Sequence, residues 1–376
     1  MKRYSQYIRI AAALLCCVLS LSGCLRYQSS ADLTAPAVSE PALSAAAPTI
    51  ETTSTLPAPT TSAPETTSIP GPAAEPQDTM APFFLYFVHN VTLEQGNAFN
   101  VHKYVSYIDD LDPEVELIVE GVVDPATLGE YPLKLTIVDN TGKYATANMT
   151  VTVTEPAPAP VEEPKDPPKS FDEFIRLYKK DGTMVGIDVS RWQETIDFQK
   201  VAAAGCEFAI MRIGGYIGEN FVDRYYAANI RNAKAAGLKV GVYWYSEENG
   251  AEAVHRNAAY LYSLLNGETL DFPVFFDWED YNNIEDYKMS LKDFGDMFAA
   301  FRQEAEARGY KAALYNSKYY LELLWSEEVT GSVWLAHYTD ETDYKGRYFL
   351  WQQGFARIDG INGDVDVDVL YPDLMP

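Results

Sequence analysis

In Leu133-Lys134-Leu135-Thr136-Ile137-Val138 and in Met149-Thr150-Val151-Thr152-Val153-Thr154, apolar and polar residues change face at every step. That is the period of a half-buried strand. Asp139-Asn140-Thr141-Gly142 between them is turn chemistry, so the two runs predict a hairpin. With several further short strands, residues 82–155 predict a small all-β sandwich. From Met184 onward the pattern changes to short apolar runs alternating with helical stretches. Met184–Val189, Phe208–Ile213, Val240–Tyr245, Pro273–Trp278, Ala312–Tyr315, Val333–Ala336, Phe349–Gln352 and Val365–Val369 read as eight strands. Helices are predicted from about Val222 to Ala236, up to Gly267, and from a Ser290 cap to before Gly309. The last strands follow one another too closely for long helices. The expected fold is therefore α/β: a modified TIM-like (β/α)5β3 barrel over 183–376, preceded by the small sandwich.

The ends of the chain follow other rules. Lys2, Arg3 and Arg9 precede an apolar run from Ile10 to Leu21 that is too short to span a bilayer, the layout of a secretory signal over 1–23. Leu21-Ser22-Gly23-Cys24 resembles a bacterial lipobox, which implies lipidation of Cys24 and a lipid bilayer as partner. Residues 24–81 are rich in Ala, Pro, Ser and Thr and cannot bury enough surface to offset ordering entropy, so they read as a tether. A Pro-rich hinge and a lead-in helix occupy 156–182. Acidic residues outnumber basic ones 54 to 29, a net charge of −25, which argues against nucleic acid and against electrostatic recruitment to anionic surfaces. Cys16, Cys17 and Cys24 crowd the N-terminus, leaving Cys206 as an expected buried, inert thiol.

Four carboxylates stand at predicted strand ends. Asp188 closes the first barrel strand, Asp277 and Glu279 close the fourth, and Asp366 lies in the last. Residues two apart on a strand face the same way, so Asp277 and Glu279 share a face with Trp278 turned to the other. Closure of the barrel makes the first and last strands neighbours, which brings Asp188 to Asp366. Crowded, partly desolvated acids raise the pKa of at least one of them. Such an acid can protonate a glycosidic oxygen while an ionised partner supports positive charge.

These residues carry a resemblance. Asp188-Val189-Ser190 with Gln193, then Gly241-Val242-Tyr243-Trp244-Tyr245, Asp277-Trp278-Glu279 and Val365-Asp366 after Gly363 resemble family 25 glycoside hydrolases, the Chalaropsis-type lysozymes. The likeness runs from about Met184 to Leu370. It implies an N-acetylmuramidase acting on peptidoglycan glycan strands, with Glu279 as acid/base, Asp277 as its electrostatic partner, Asp188 and Asp366 completing the site, and Tyr243 facing the sugar. The family often has His where Trp244 stands and Asn where Asp368 stands. Gly129-Glu130-Tyr131, the strand, the turn and the last strand resemble bacterial immunoglobulin-like domains, here expected to act as a spacer.

All six tryptophans lie in the barrel segment, and sugar rings stack their C–H faces on aromatic rings. Trp192, Tyr245, Tyr338 and Trp351 are the expected subsite walls beside Tyr243. No His or Cys spacing resembles a metal site and no Gly-rich phosphate loop occurs, so neither metal nor cofactor is expected. The expected activity is hydrolysis of the β-1,4 bond between N-acetylmuramic acid and N-acetylglucosamine by an extracytoplasmic, lipid-anchored enzyme facing the wall. The resemblance suggests assistance by the substrate's acetamido group; direct water attack with inversion stays open. The alternatives are a chitinase-like hydrolase of another acetamido-sugar polymer and a non-catalytic wall-binding lipoprotein.

Overall fold

Alternating runs become strands because each lays one row of side chains on a core and the other on solvent or a second layer. The computed structural model describes residues 77–157, 168–326 and 330–376. The expected export segment, the Cys24 lipidation site, nearly all of the tether and much of the hinge lie outside the described residues.

The sandwich is built from β1 (Phe83–Phe87), β2 (Asn90–Glu94), β3 (Val105–Ile108), β4 (Glu116–Glu120), β5 (Gly129–Val138) and β6 (Tyr144–Thr154). Four strands pair in the order β2-β6-β5-β4, and β1 pairs with β3. The β5–β6 hairpin is in register from Gly129↔Val153 to Val138↔Tyr144. Its turn is held by Asp139, whose carboxylate accepts from the Thr141 and Lys143 backbone N–H groups. Leu133, Leu135, Ile137, Met149, Val151 and Val153 form the buried face.

A short β7 (Lys169–Ser170) and α1 (Phe171–Tyr178) lead into the barrel. Its first strands are β8 (Met184–Val189) and β9 (Phe208–Ile217), the latter extended by β10 (Glu219–Val222). Next come β11 (Lys239–Ser246), β12 (Val274–Trp278), β13 (Ala312–Ser317) and β14 (Val333–Ala336). The last are β15 (Tyr348–Arg357) and β16 (Val365–Leu370). Barrel neighbours from β8 to β15 are parallel; β16 is antiparallel to both β15 and β8, and the β8–β9 pairing closes the ring. α2 (Phe198–Ala203), α3 (Tyr226–Ala235) and α4 (Ala251–Leu265) follow β8, β9 and β11. α5 (Ile284–Tyr287) and α6 (Leu291–Glu306) follow β12, and α7 (Lys318–Leu323) follows β13. Among the described residues no α-helix follows β14 or β15.

The helix expected from about Val222 starts later. Glu219–Val222 folds back on β9 instead, pairing Glu219 with Ile217 and Val222 with Gly214. Gly218, at φ +66°, permits the reversal. A Cβ on Gly215 would lie 2.8 Å from the Phe221 ring, so bare backbone is needed there for the two strands to meet.

Alternation sorts the barrel strands into two cores. Val185, Ile187, Val189, Val365, Val367 and Val369 face the helix layer. The inward positions fill the barrel with aromatic rings: Phe275 meets Trp334 edge-on at 4.9 Å between centroids and stacks on Phe349 at 5.9 Å. Leu85 and Ile108 of the sandwich join the barrel's outer core. The first N–H groups of α6, from Leu291 and Lys292, donate to the Asp109 and Asp110 carbonyls at 2.9 and 3.1 Å, satisfying donors that a helix start leaves open. Cys206 is buried, and burial pushes its thiol up to about 12.

Candidate active site

Above the aromatic filling, the inward positions become acidic. Strand pairing sets Asp366 directly opposite Asp188. Asp277 lies in register with Tyr245 on one side and Tyr315 on the other. Glu279 follows the end of β12, its N–H on the Ser246 carbonyl at 3.3 Å. Trp278 between them turns outward, donating through Nε1 to the Glu248 carbonyl at 2.9 Å and meeting Phe294 edge-on. Asp188, Asp277, Glu279 and Asp366 thus come from three strands to one mouth, close enough that Asp277 feels the charges of Glu279 and Asp188, and Asp366 those of Asp188 and Glu279.

Their environments differ. Asp188 is buried, and loss of water raises it to about 6 against the pull of hydrogen bonds from Gln352 and Asp368. Burial lifts Asp277 well above the carboxylate range, its Oδ1 has no hydrogen-bond partner, and the Glu279 charge adds to the rise. Asp366, half-buried, also rises, through desolvation and the Asp188 charge. Glu279 is the member whose surface stays open. Its side chain keeps solvent-exposed surface while the protein packed around it displaces part of its water. That desolvation, with the Asp188 charge, raises it to about 7, and Arg212 opposes the shift. The mouth therefore holds protons near neutrality, with its reachable acid poised there.

Four residues around this set went unread in the sequence. Gln352 donates from Nε2 to Asp188 Oδ2 at 2.8 Å, while its Oε1 accepts from Tyr315 and Tyr338 hydroxyls at 2.9 and 2.8 Å. Arg212 is buried beside the acids and anchored to Asp223, Nε to Oδ2 at 2.9 Å. Asp223 also accepts from the Arg191 N–H at 2.8 Å and so fixes the loop that carries Trp192. Phe355 is exposed, pairs with Tyr338 at 5.3 Å and stands opposite Asp366 in the strand register. Asp368, noted in the sequence only as a departure from the family, is fully buried one inward position below Asp366. It accepts from Trp334 Nε1 at 2.8 Å and hydrogen-bonds Asp188. Its place two residues from Asp366 was the available signal.

The expected subsite aromatics divide. Trp192 is 54% exposed under the Arg191 guanidinium, which lies 4.7 Å from the ring centre. Tyr338 is exposed and tied to Gln352. Tyr243 and Tyr245 point inward among the acids, and burial, with the acids' charges behind it, raises both hydroxyls. Trp351 corrects the expectation: it is buried on the outer face, its Nε1 on the His337 carbonyl at 2.8 Å and its ring edge-on to Tyr178 of α1. The period of two decides this, since Gln352 takes the inward position and turns its neighbour out.

A closed barrel whose mouth gathers carboxylates under a rim of aromatic rings has the parts that a glycosidase working through acidic side chains requires. The family pattern of glycosyl hydrolases family 25 matches residues 187–355, and that of the bacterial surface protein Ig-like domain matches residues 88–153. The uncharacterized protein YegX of Escherichia coli O6:H1 is 30% identical over 203 residues, 50% of this chain and 69% of YegX. Lysozyme M1 of Streptomyces globisporus is 27% identical over 199 residues, 48% of this chain and 65% of that protein. The modular autolysin LytC of Streptococcus pneumoniae, solved with a synthetic peptidoglycan ligand, aligns with a TM-score of 0.47 at 20% identity, over 63% of this chain and 56% of LytC. The chain belongs to glycosyl hydrolases family 25 and carries a bacterial Ig-like domain before its barrel.

Proposed function

We propose that this protein is a peptidoglycan hydrolase that cleaves the β-1,4 bond between N-acetylmuramic acid and N-acetylglucosamine. The observation that carries the reading is a reachable Glu279 raised to about 7 beside Asp188, Asp277 and Asp366 at one barrel mouth. The names of Lysozyme M1 and of the autolytic lysozyme of Clostridium acetobutylicum support the substrate class.

In this mechanism Glu279 protonates the leaving glycosidic oxygen and later takes a proton from water. The 2-acetamido carbonyl of the substrate attacks the anomeric carbon, and Asp277 orients that group; once its own proton has left, its carboxylate stabilises the cyclic cation that forms. Asp188, the ionised member near neutrality, supplies negative charge near the reacting carbon beside Asp366, and Gln352 sets the position of Asp188. Trp192, Tyr243, Tyr245, Tyr338 and Phe355 supply the faces on which sugar rings stack. The catalytic unit occupies 183–376 and the spacer 82–155. A lipid on Cys24 and the tether over 24–81 hold them on the outer side of the membrane, facing the wall.

The test is mass spectrometry of purified peptidoglycan digested by the wild-type chain and by Glu279→Gln. New reducing ends on N-acetylmuramic acid, absent with the variant, support the reading. N-acetylglucosamine ends, or release from chitin oligomers and not from wall, overturn it in favour of another acetamido-sugar hydrolase. Wall binding without new ends, unchanged in Glu279→Gln, makes the protein a binding module. NMR of the first-formed anomer separates the two chemical routes, since inversion eliminates participation by the acetamido group.

A further inference from the structure

A second group of acids lies far from the barrel mouth in sequence, where the chain enters the sandwich. Asp109 and Asp110 follow the end of β3, and Asp78 precedes β1. A carboxylate oxygen from each lies within 4.8 Å of the others. Asp109 is completely buried. Its Oδ1 accepts from the Leu111 and Asp112 N–H groups, both at 2.9 Å, which locks the side chain and leaves Oδ2 facing the cluster with no donor. Asp78 Oδ1 and Asp110 Oδ1 are also inaccessible to solvent and without a hydrogen-bond partner. Lys143 engages the other Asp78 oxygen at 2.7 Å and is shared with Asp139 at 3.3 Å.

Three desolvated carboxylate oxygens without donors are costly unless a proton or a cation sits among them. Hydroxyls or amides aimed at these atoms would satisfy a purely structural cluster, as Thr141 and Lys143 do for Asp139. We propose that Asp78, Asp109 and Asp110 form a divalent-cation site, fitted to Ca²⁺, that pins the start of the sandwich to the end of β3. The ligand set is hard oxygen alone, which suits Ca²⁺ at Ca–O distances of about 2.3–2.6 Å and disfavours zinc, which seeks nitrogen or sulfur. The expectation that no metal binds came from His and Cys spacing, which does not register a site made of acids distant in sequence. Because Asp109 and Asp110 also accept through their carbonyls from the first turn of α6, an ion here would stiffen the seam between sandwich and barrel.

The test uses the full chain, freed of metal with a chelator and titrated with CaCl2 by calorimetry, with melting followed by circular dichroism. A single Ca²⁺ is expected to bind, with a Kd of about 10⁻⁴–10⁻³ M as in extracellular modules, and to raise the melting temperature. Asp78→Asn with Asp110→Asn is expected to weaken binding about tenfold or more. Asp109→Asn is the companion variant, since an amide oxygen still accepts from Leu111 and Asp112 while Oδ2 is lost. A folded wild-type chain showing neither heat nor a melting shift up to about 10 mM Ca²⁺ overturns the proposal. So does binding unchanged in these variants but lost in Asp188→Asn, which would put the ion at the barrel mouth. The readout is binding and not hydrolysis, so its failure leaves the proposed activity standing.

Discussion

The molecule holds two crowded sets of acids, and they handle the same repulsion differently. At the barrel mouth the carboxylates are graded. Asp277 is buried, Asp188 is restrained by Gln352, Glu279 is reachable, and Arg212 lowers Asp277 and Glu279. At the sandwich entrance Asp78, Asp109 and Asp110 present donor-free oxygens to one another, and Lys143 is committed to the side. Protons relieve the first set and can leave again, which acid–base chemistry requires. In the second the facing oxygens themselves are inaccessible to solvent, and on the proposal above they call for a lasting counter-charge. On the two proposals, access to a ligand, more than acidity, separates the mouth from the second cluster.

The sharpest way to break this comparison is Glu279→Gln. Removing the mouth's proton donor is expected to lower turnover on peptidoglycan by about 10²–10⁴-fold with an unchanged circular dichroism spectrum. Activity within a few fold of wild type would deny the mouth its role. Next in size is the contrast between two tryptophans. Trp351→Ala empties a packed position and is expected to cost about 3–5 kcal/mol in denaturant unfolding. Trp192→Ala, on the exposed rim, is expected to leave stability within about 0.5 kcal/mol and to raise KM. A rise in KM from Trp351 with stability intact would return it to the subsites.

The pH dependence sharpens the mouth further. With Glu279 raised to about 7, kcat/KM is expected to fall as pH rises through that value, as the acid loses its proton. Gln352→Met removes the donor that keeps Asp188 charged, and that charge helps hold Glu279 up. The alkaline limb is therefore expected to move to lower pH; a limb that stays put would separate Gln352 from the titration. The smallest effect concerns stability. The folded Asp188 carboxyl binds its proton more tightly than the unfolded one, so its contribution is present at low pH and is lost as pH rises from about 4 through about 6. Melting profiles across that range should flatten in Asp188→Asn.

Much of the site was legible because strand period converts spacing into facing. Asp277 and Glu279 two apart, and Asp188 and Asp366 on strands that barrel closure makes neighbours, follow from counting. The same count carried through β15 would have turned Trp351 outward and Gln352 inward. The β10 turn was harder, since Glu219-Asn220-Phe221-Val222 is short and its strand character comes from pairing with β9.

By itself the amino-acid order determined the alternation, the turns, the acids at strand ends and hence the family and its barrel, because these depend on contacts near in sequence or on a repeating period. Tertiary structure alone decided which acid stays reachable, that Arg212 and Gln352 tune the set, and that Asp78 faces Asp109 and Asp110. Burial and charge are summed over every neighbouring group, and most of those neighbours are distant along the chain.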